Sequence, residues 1–334
     1  MRVVITGGTG FIGRKLAQRL LARGSLMSPE GAESVIDELV LFDVASPSPP
    51  LKPDPRLKIV TGDIADRATV RDLIDRRTGS IFHLAAVVSG QAEADTDIGM
   101  RVNLDGTRAV LEACRALGTG PRLVFASSLA VYGGDLPPAV SDDTPLNPQT
   151  SYGNQKACCE LLINDYSRKG YVDGRAPRLP TIVVRPGLPN RAASTWASSI
   201  IREPLSGVDV VCPVAEDAVM ALLSPRRLVA ALERLHDLPG DAFGFSRAIQ
   251  LPGIAVNVAE MVAALRRAGG DAAVQRIRWE PDPVIQKIVA GWPRGIASVR
   301  AERLGLEADR TIDEIVEAFI EDDLPAQRAL AGTA

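Results

Sequence analysis

Two side chains four residues apart, Tyr152 and Lys156, offer the clearest chemistry in this 334-residue sequence. On a helix that spacing puts both on one face, a turn apart. A phenol with an ordinary pKa near 10 is a weak base at neutral pH. A neighbouring ammonium, or a cationic nicotinamide ring, favours phenolate and brings it toward the range useful for acid–base work. Ser127 and Ser128 stand about 24 residues upstream, and either hydroxyl is a candidate to hold a substrate oxygen as it loses its proton. Such a set suits oxidation of an alcohol by hydride transfer. A bare Tyr-x-x-x-Lys is common on exposed helix faces. Here it follows a strand, a Ser-Ser step and a loop, and opens a predicted helix, which sets it apart from a chance match.

A hydride needs an acceptor, and the N-terminus has the means to hold one. Thr6-Gly7-Gly8-Thr9-Gly10-Phe11-Ile12-Gly13 follows an apolar strand and opens a helix. In a dinucleotide site Gly7 permits the tight turn, Gly10 lets backbone approach a pyrophosphate, and Gly13 lets helix and strand pack closely. The helix N-terminus then presents free N–H groups to the phosphates. Asp43 ends the second predicted strand, where an acid bonds the adenosine ribose and repels a 2′-phosphate, favouring NAD over NADP. It lies 30 residues beyond Gly13, further than usual, and an insertion over Gly24–Ser34 explains the excess. Asp63, after the third strand, is a candidate for the adenine amino group or for a cap.

The elements that must position these groups alternate. Strands are predicted at Val3–Thr6, Glu38–Phe42, Leu57–Val60, Ser80–Leu84, Arg122–Ala126 and Thr181–Val184. Helices are predicted at Arg14–Arg23, Ala68–Arg76, Val102–Leu117 and Tyr152–Arg168. This alternation means βαβ units: an α/β, Rossmann-type doubly wound parallel sheet with helices on both faces. After residue 186 prolines interrupt shorter elements, and two helices stand out, Val258–Ala268 and Ile312–Ile320. The expected organisation is a dinucleotide-binding domain over residues 1–185. A mainly substrate-binding C-terminal lobe follows over 186–334, with some segments returning to the sheet. The proline-rich Ser46–Pro55 reads as a surface loop.

Composition narrows the partners. Hydrophobic residues make up 46%, charged residues 24%, and the net charge is −3. Nothing there attracts nucleic acid or an anionic membrane. Cys114, Cys158, Cys159 and Cys212 form no CxxC pair, which argues against a metal site or a disulfide framework. No apolar run approaches the length of a membrane span, so a cytoplasmic protein without a targeting segment is expected.

TGGTGFIG, HLAA (83–86), VNLDGT (102–107), FASSLAVYG (125–133) and SYGNQK (151–156) together resemble the extended short-chain dehydrogenase/reductase family, in order and spacing, over roughly the first 190 residues. The resemblance implies Ser128, Tyr152 and Lys156 as the catalytic set, with Tyr152 the base and Lys156 also on the nicotinamide ribose. It implies that Phe11, Ile12, Asp43, Asp63, Ile64, Leu84 and Ala85 line the cofactor. Asn103 matches an asparagine with a partly structural role, and His83 reads as structural. Relatives commonly pair through two long helices, here about 96–117 and 152–168, so a homodimer is expected.

The same triad serves dehydrogenases, epimerases and dehydratases. The dehydratases carry Asp-Glu soon after the catalytic Ser or Thr; Leu129-Ala130 stand here. The Arg-Asp-aromatic segment of the epimerases has no match at 218–225. RPGLPNRAAS (185–194), SSIIREPLSG (198–207), LLSPRR (222–227) and VAGWPRGI (289–296) resemble the branch of the family that oxidises small sugar acids. That implies oxidation of the C2 hydroxyl of a four-carbon aldonate to the 2-oxo acid. One departure is the wholly apolar Met220-Ala221-Leu222, where polar or aromatic residues are expected. A substrate carboxylate calls for a cation, ideally a bidentate arginine; Arg191 and Arg202 are the candidates. Ser89, Asn190 and Thr195 are candidates to hold hydroxyls. The alternatives are a sugar-nucleotide epimerase, a uronate dehydrogenase, and a non-catalytic NAD-binding regulator.

Overall fold

The computed structural model describes residues 1–190 and 192–332. Its main sheet has eight strands among the described residues: seven lie on one path, β1 Arg2–Thr6, β2 Glu38–Asp43, β3 Leu57–Thr61, β4 Thr78–His83, β5 Arg122–Phe125, β6 Asp173–Leu179 and β7 Ala248–Gln250, and the short Ser127–Ser128 pairs with β6. Their order is β7-β6-β5-β4-β1-β2-β3. The pairs β1–β2, β2–β3, β1–β4, β4–β5 and β5–β6 are parallel. β1 and β4 are buried at every residue, as strands covered on both faces must be. Chain order reverses at β1, flanked by β2 and β4. Open α/β sheets bind ligands beyond the carboxyl ends of their strands at such a switch point.

Helices α1 Phe11–Arg23, α2 Arg67–Leu73, α3 Gly106–Leu117, α4 Ser151–Arg168 and α5 Pro225–Asp237 complete the doubly wound arrangement. A π-helical turn over Met100–Asp105 leads into α3. The excess length before Asp43 is a β-hairpin, Ser25–Met27 against Glu33–Val35. It separates α1 from β2 in sequence without moving Asp43 from the end of β2.

The sixth strand is not where the apolar run Thr181–Val184 suggests. The sheet takes Asp173–Leu179 instead, DGRAPRL. Its charges are buried with partners. Arg175 is wholly inaccessible and donates from Nε to the Leu235 carbonyl at 2.9 Å and from Nη2 to that of Leu238 at 2.6 Å. Arg178 forms an ion pair with Glu160. Thr181–Ile182 pairs with Val219–Leu223 in a separate sheet.

The chain forms two compact units, and it passes between them several times. One gathers Met1–Val131, Thr150–Arg178 and Val229–Ile249; the other gathers Tyr132–Gln149, Leu179–Leu228 and Gln250–Ala334. The second has its own core, in which Trp196, Ile200, Val256, Met261, Leu265, Val316 and Phe319 cluster. Its helix Val258–Val274 starts with a capping box between Asn257 and Glu260, which satisfies two otherwise orphaned donors. Met220, Ala221 and Leu222 are core residues of the strand paired with Ile254–Asn257. Their apolar character serves packing and offers nothing to a substrate.

Candidate active site

The glycine loop joins β1 to α1 at the switch point. Gly7 has φ +67°, and a Cβ there would lie 2.8 Å from the Ala85 nitrogen and 2.9 Å from the Leu84 carbonyl carbon. The chain leaving β4 thus presses against the loop, with the Leu84 N–H bonded to the Thr6 carbonyl. A Cβ on Gly13 would meet the Gly7 carbonyl oxygen at 2.5 Å and Gly8 Cα at 2.7 Å. Gly8, which the three-glycine spacing passes over, is equally confined, by the Ile5 carbonyl oxygen at 2.6 Å and by Leu41. Gly10 differs: it is exposed, and only the Gly7 carbonyl at 3.2 Å comes near its absent Cβ. Packing within the chain therefore asks little of Gly10, whereas close approach of a pyrophosphate would. Gly10 also caps α1 without a side-chain hydrogen bond, so the helix N-terminus keeps free donors for an anion. This cradle fits a dinucleotide.

Asp43 sits beside that cradle. Its Oδ2 accepts from the Thr9 N–H at 3.1 Å and its Oδ1 from the Val44 N–H at 2.8 Å. Asp63 is placed differently from an adenine contact with a free carboxylate. Its Oδ1 accepts from the Ala65 N–H at 2.9 Å and its Oδ2 pairs with Arg101; these hydrogen bonds hold its carboxyl below the usual range. Ile64 is buried and faces Gly106. Phe11 and Ile12, in the first turn of α1, are partly buried.

Thr150 caps α4 through the Gly153 N–H, and the helix presents Tyr152 and Lys156 one turn apart. Desolvation pushes the Tyr152 phenol up to about 12, with the Ser128 hydroxyl pulling the other way. Lys156 Nζ donates to the Ala126 carbonyl at 2.8 Å and lies 5.5 Å from the Tyr152 ring centroid. Burial pushes its ammonium down to about 8. Ser128 Oγ also accepts from the Ala130 N–H at 3.1 Å. Leu129 and Ala130 lie in a 3-10 turn over Leu129–Val131 and put no carboxylate next to Ser128.

Around this set lies a layer of support that the sequence motifs only hint at. His83 Nδ1 meets Thr6 Oγ1 at 2.6 Å and its Nε2 meets Thr107 Oγ1 at 3.0 Å. Burial pushes its pKa down to about 3, so it stays neutral and structural. Asn103 accepts from the Val87 N–H at 2.9 Å and donates to Gln155 Oε1 at 2.8 Å, tying the segment after β4 to α4. The unfolded chain protonates His83 near pH 6.5 and the folded chain near 3, so between those values the unfolded state binds more protons. Stability contributed by a neutral His83 is therefore complete above 6.5 and is lost as pH falls toward 3. Denaturant titrations from pH 7 to 4 are expected to show a shallower pH slope for His83→Gln than for the unaltered chain. Equal slopes would remove His83 from the account.

The substrate candidates divide. Ser89 opens the helix Ser89–Ala94 in the unit that holds Tyr152, and Glu93 of that helix accepts from the Ser151 N–H at 2.9 Å. Ser127 is buried and donates to Glu160 Oε1 at 2.5 Å, so its hydroxyl is committed internally, not to a substrate. Arg202 is corrected likewise. It is wholly buried, and donates to the Arg185 carbonyl at 2.5 Å, to Ser199 Oγ at 3.0 Å and to Glu203 Oε1 at 2.6 Å. A wholly buried guanidinium held by these internal partners is not placed to clamp a substrate. Asn190 and Thr195 bond each other, the Thr195 hydroxyl donating to Asn190 Oδ1 at 3.0 Å. Arg191 lies outside the described residues. Among the described residues no cluster of metal-ligating side chains occurs and no helix is long and apolar enough to cross a membrane.

Residues 3–221 match the model of the NAD dependent epimerase/dehydratase family. Over 96% of this chain and 98% of the relative, the sequence is 55% identical to a D-erythronate dehydrogenase of Cupriavidus necator. It is 45% identical to one of Haemophilus influenzae, over 97% and 100%. Among solved structures it resembles a nucleoside-diphosphate-sugar epimerase from Agrobacterium tumefaciens. That match has a TM-score of 0.91 and 41% identity, and covers 98% of this chain and 96% of the other.

Proposed function

From the premise that this chain belongs to the NAD dependent epimerase/dehydratase family, and is an NAD-dependent oxidoreductase of sugar acids, we propose that it oxidises the C2 hydroxyl of D-erythronate to the 2-oxo acid. The observation that carries the mechanism is the placement of Tyr152 and Lys156 one turn apart on α4, with Lys156 buried, anchored on the Ala126 carbonyl at 2.8 Å and 5.5 Å from the Tyr152 ring centroid. Tyr152 takes the hydroxyl proton. Ser128 holds the same substrate oxygen and orients it. Lys156, anchored on the Ala126 carbonyl, keeps a positive charge close to the phenol and favours its ionised form. Bound NAD supplies the hydride acceptor. The Gly7–Gly13 loop and Asp43 hold and select the dinucleotide. The choice of a four-carbon acid rests on the near full-length likeness to two D-erythronate dehydrogenases.

The deciding experiment is an NAD-coupled screen of C4 to C6 aldonates and uronates. D-Erythronate is expected to give the highest kcat/KM, with one NADH per 2-oxo acid. A uronate as best substrate would overturn the assignment. A second reading, a sugar-nucleotide epimerase, draws on the name of the Agrobacterium tumefaciens protein. It predicts epimer formation from UDP-sugars without net NADH. Tight NAD binding with no turnover on either panel would favour a non-catalytic regulator.

Cofactor choice has its own test. Asp43→Asn keeps an oxygen acceptor but removes the charge that repels a 2′-phosphate. The KM for NAD is expected to rise about tenfold, the loss of roughly one charge-assisted hydrogen bond, and turnover with NADP to become measurable. Unchanged discrimination between NAD and NADP would exclude Asp43 as its source.

A further inference from the structure

One helix and one short segment of chain meet three times in succession. Along α4, Tyr152, Lys156 and Glu160 are spaced by four, so they share a face. They engage three consecutive residues. The Ser128 hydroxyl acts on that of Tyr152, Lys156 Nζ donates to the Ala126 carbonyl at 2.8 Å, and Glu160 Oε1 accepts from Ser127 Oγ at 2.5 Å. The third contact has no part in the reaction described above.

Glu160 is itself held. Arg178 of β6 donates from Nε to Oε1 at 3.0 Å and to Oε2 at 3.1 Å, and from Nη2 to Oε2 at 2.7 Å. Both members are buried. A buried ion pair gains little or nothing over well-packed apolar residues of similar volume, so stability alone gives a poor reason for this one. Its geometric result is specific. Arg178 fixes the carboxylate, and the carboxylate fixes the Ser127 hydroxyl. Ser127–Ser128 is extended and pairs with β6, so its backbone is held on one side by the sheet. Gripping Ser127 holds the same step against α4, and with it the Cα from which the Ser128 hydroxyl projects.

We infer that Glu160 is a positioning residue: anchored by Arg178, it grips Ser127 and thereby sets where the Ser128 hydroxyl meets that of Tyr152. The inference rests on Ser128, Tyr152 and Lys156 being the reacting set. It gives the Ser-Ser step two different duties, one hydroxyl for the substrate and one for alignment.

The test uses NADH formation from D-erythronate by the full chain, well below each variant's Tm. Ser127→Ala leaves the Glu160–Arg178 pair intact. It is expected to lower kcat on the order of tenfold or more, as small misplacements of reacting groups do. The KM for NAD should stay within about twofold, because the glycine loop is untouched. Glu160→Gln should lower kcat comparably. The double variant should be no slower than the slower single one, since both act through one contact. Wild-type kcat for Ser127→Ala, or fully additive losses in the double variant, would overturn the proposal. Should Glu160→Gln fail to fold with Arg178 unpaired, Ser127→Ala decides alone. Tyr152→Phe is the control that separates two failures. Retained turnover there would sink the reacting set and this proposal with it. Lost turnover there, with normal Ser127→Ala, would sink the positioning role only.

Discussion

Tyr152→Phe is expected to lower kcat by about a thousandfold, the scale of losing a positioned general base, with little change in NAD binding. The substitution removes one oxygen and keeps the ring, so the packing of α4 and the 5.5 Å approach of Lys156 Nζ to the ring centroid remain. What goes is the hydroxyl that Ser128 acts on and that is proposed to take the substrate proton. The phenol is pushed up to about 12 by burial, so the unassisted chain makes it a reluctant base, and in the proposed mechanism the positive charge of Lys156 favours its ionised form. Steady-state kinetics with titrated NAD binding checks this. A kcat within tenfold of the unaltered chain would show that another group takes the proton.

Gly7→Ala is expected to cost about 3 kcal/mol of stability and to weaken NAD binding more than tenfold. The left-handed conformation at φ +67° costs a side-chain-bearing residue roughly 1–2 kcal/mol. The rest comes from collision. The new methyl would sit 2.8–3.0 Å from Ala85 N, Leu84 C and Ala85 Cα, all backbone, so no rotamer change relieves it. The chain after β4 must move, and the loop that cradles the pyrophosphate moves with it. Gly31→Ala isolates the two terms: its φ is +81° but nothing lies within 4 Å. Denaturant unfolding should place Gly31→Ala near the conformational cost alone, with NAD affinity intact. Equal effects at the two positions would mean that collision with the β4 exit contributes nothing.

The legible parts of the fold share one property: the signal is local. β1, β2, β4 and β5 stand as apolar runs because strands buried on both faces need them, whereas β3, at the sheet edge, is exposed or half-buried throughout. An insertion before β2 is legible in the excess spacing between Gly13 and Asp43, and the structure shows it as a hairpin. The sixth strand was misplaced for the opposite reason. DGRAPRL carries two arginines and a proline, yet it lies in the sheet because Arg175 finds carbonyl acceptors some 60 residues further along. Apolar Thr181–Ile182 meanwhile joins a different sheet. Hydropathy counts a buried, paired arginine as surface.

The site follows the same division. From sequence alone came the pairing of Tyr152 with Lys156, the glycine loop, the strand-end Asp43 and the structural character of His83, all set by spacings of a few residues or by position at an element's end. The family resemblance already implies Ser128 as the reacting serine; tertiary structure alone shows what holds its neighbour Ser127. Ser127 and Ser128 are identical as letters, and only a carboxylate 33 residues away along α4 assigns Ser127 to Glu160. It alone turned Arg202 from a candidate clamp into a buried ion-pair member, and Met220–Leu222 from an anomaly into core. The reason is physical. Helical phase and turn geometry are short-range and written in adjacent residues, whereas the partner that satisfies a buried polar group is chosen by the packing of distant segments.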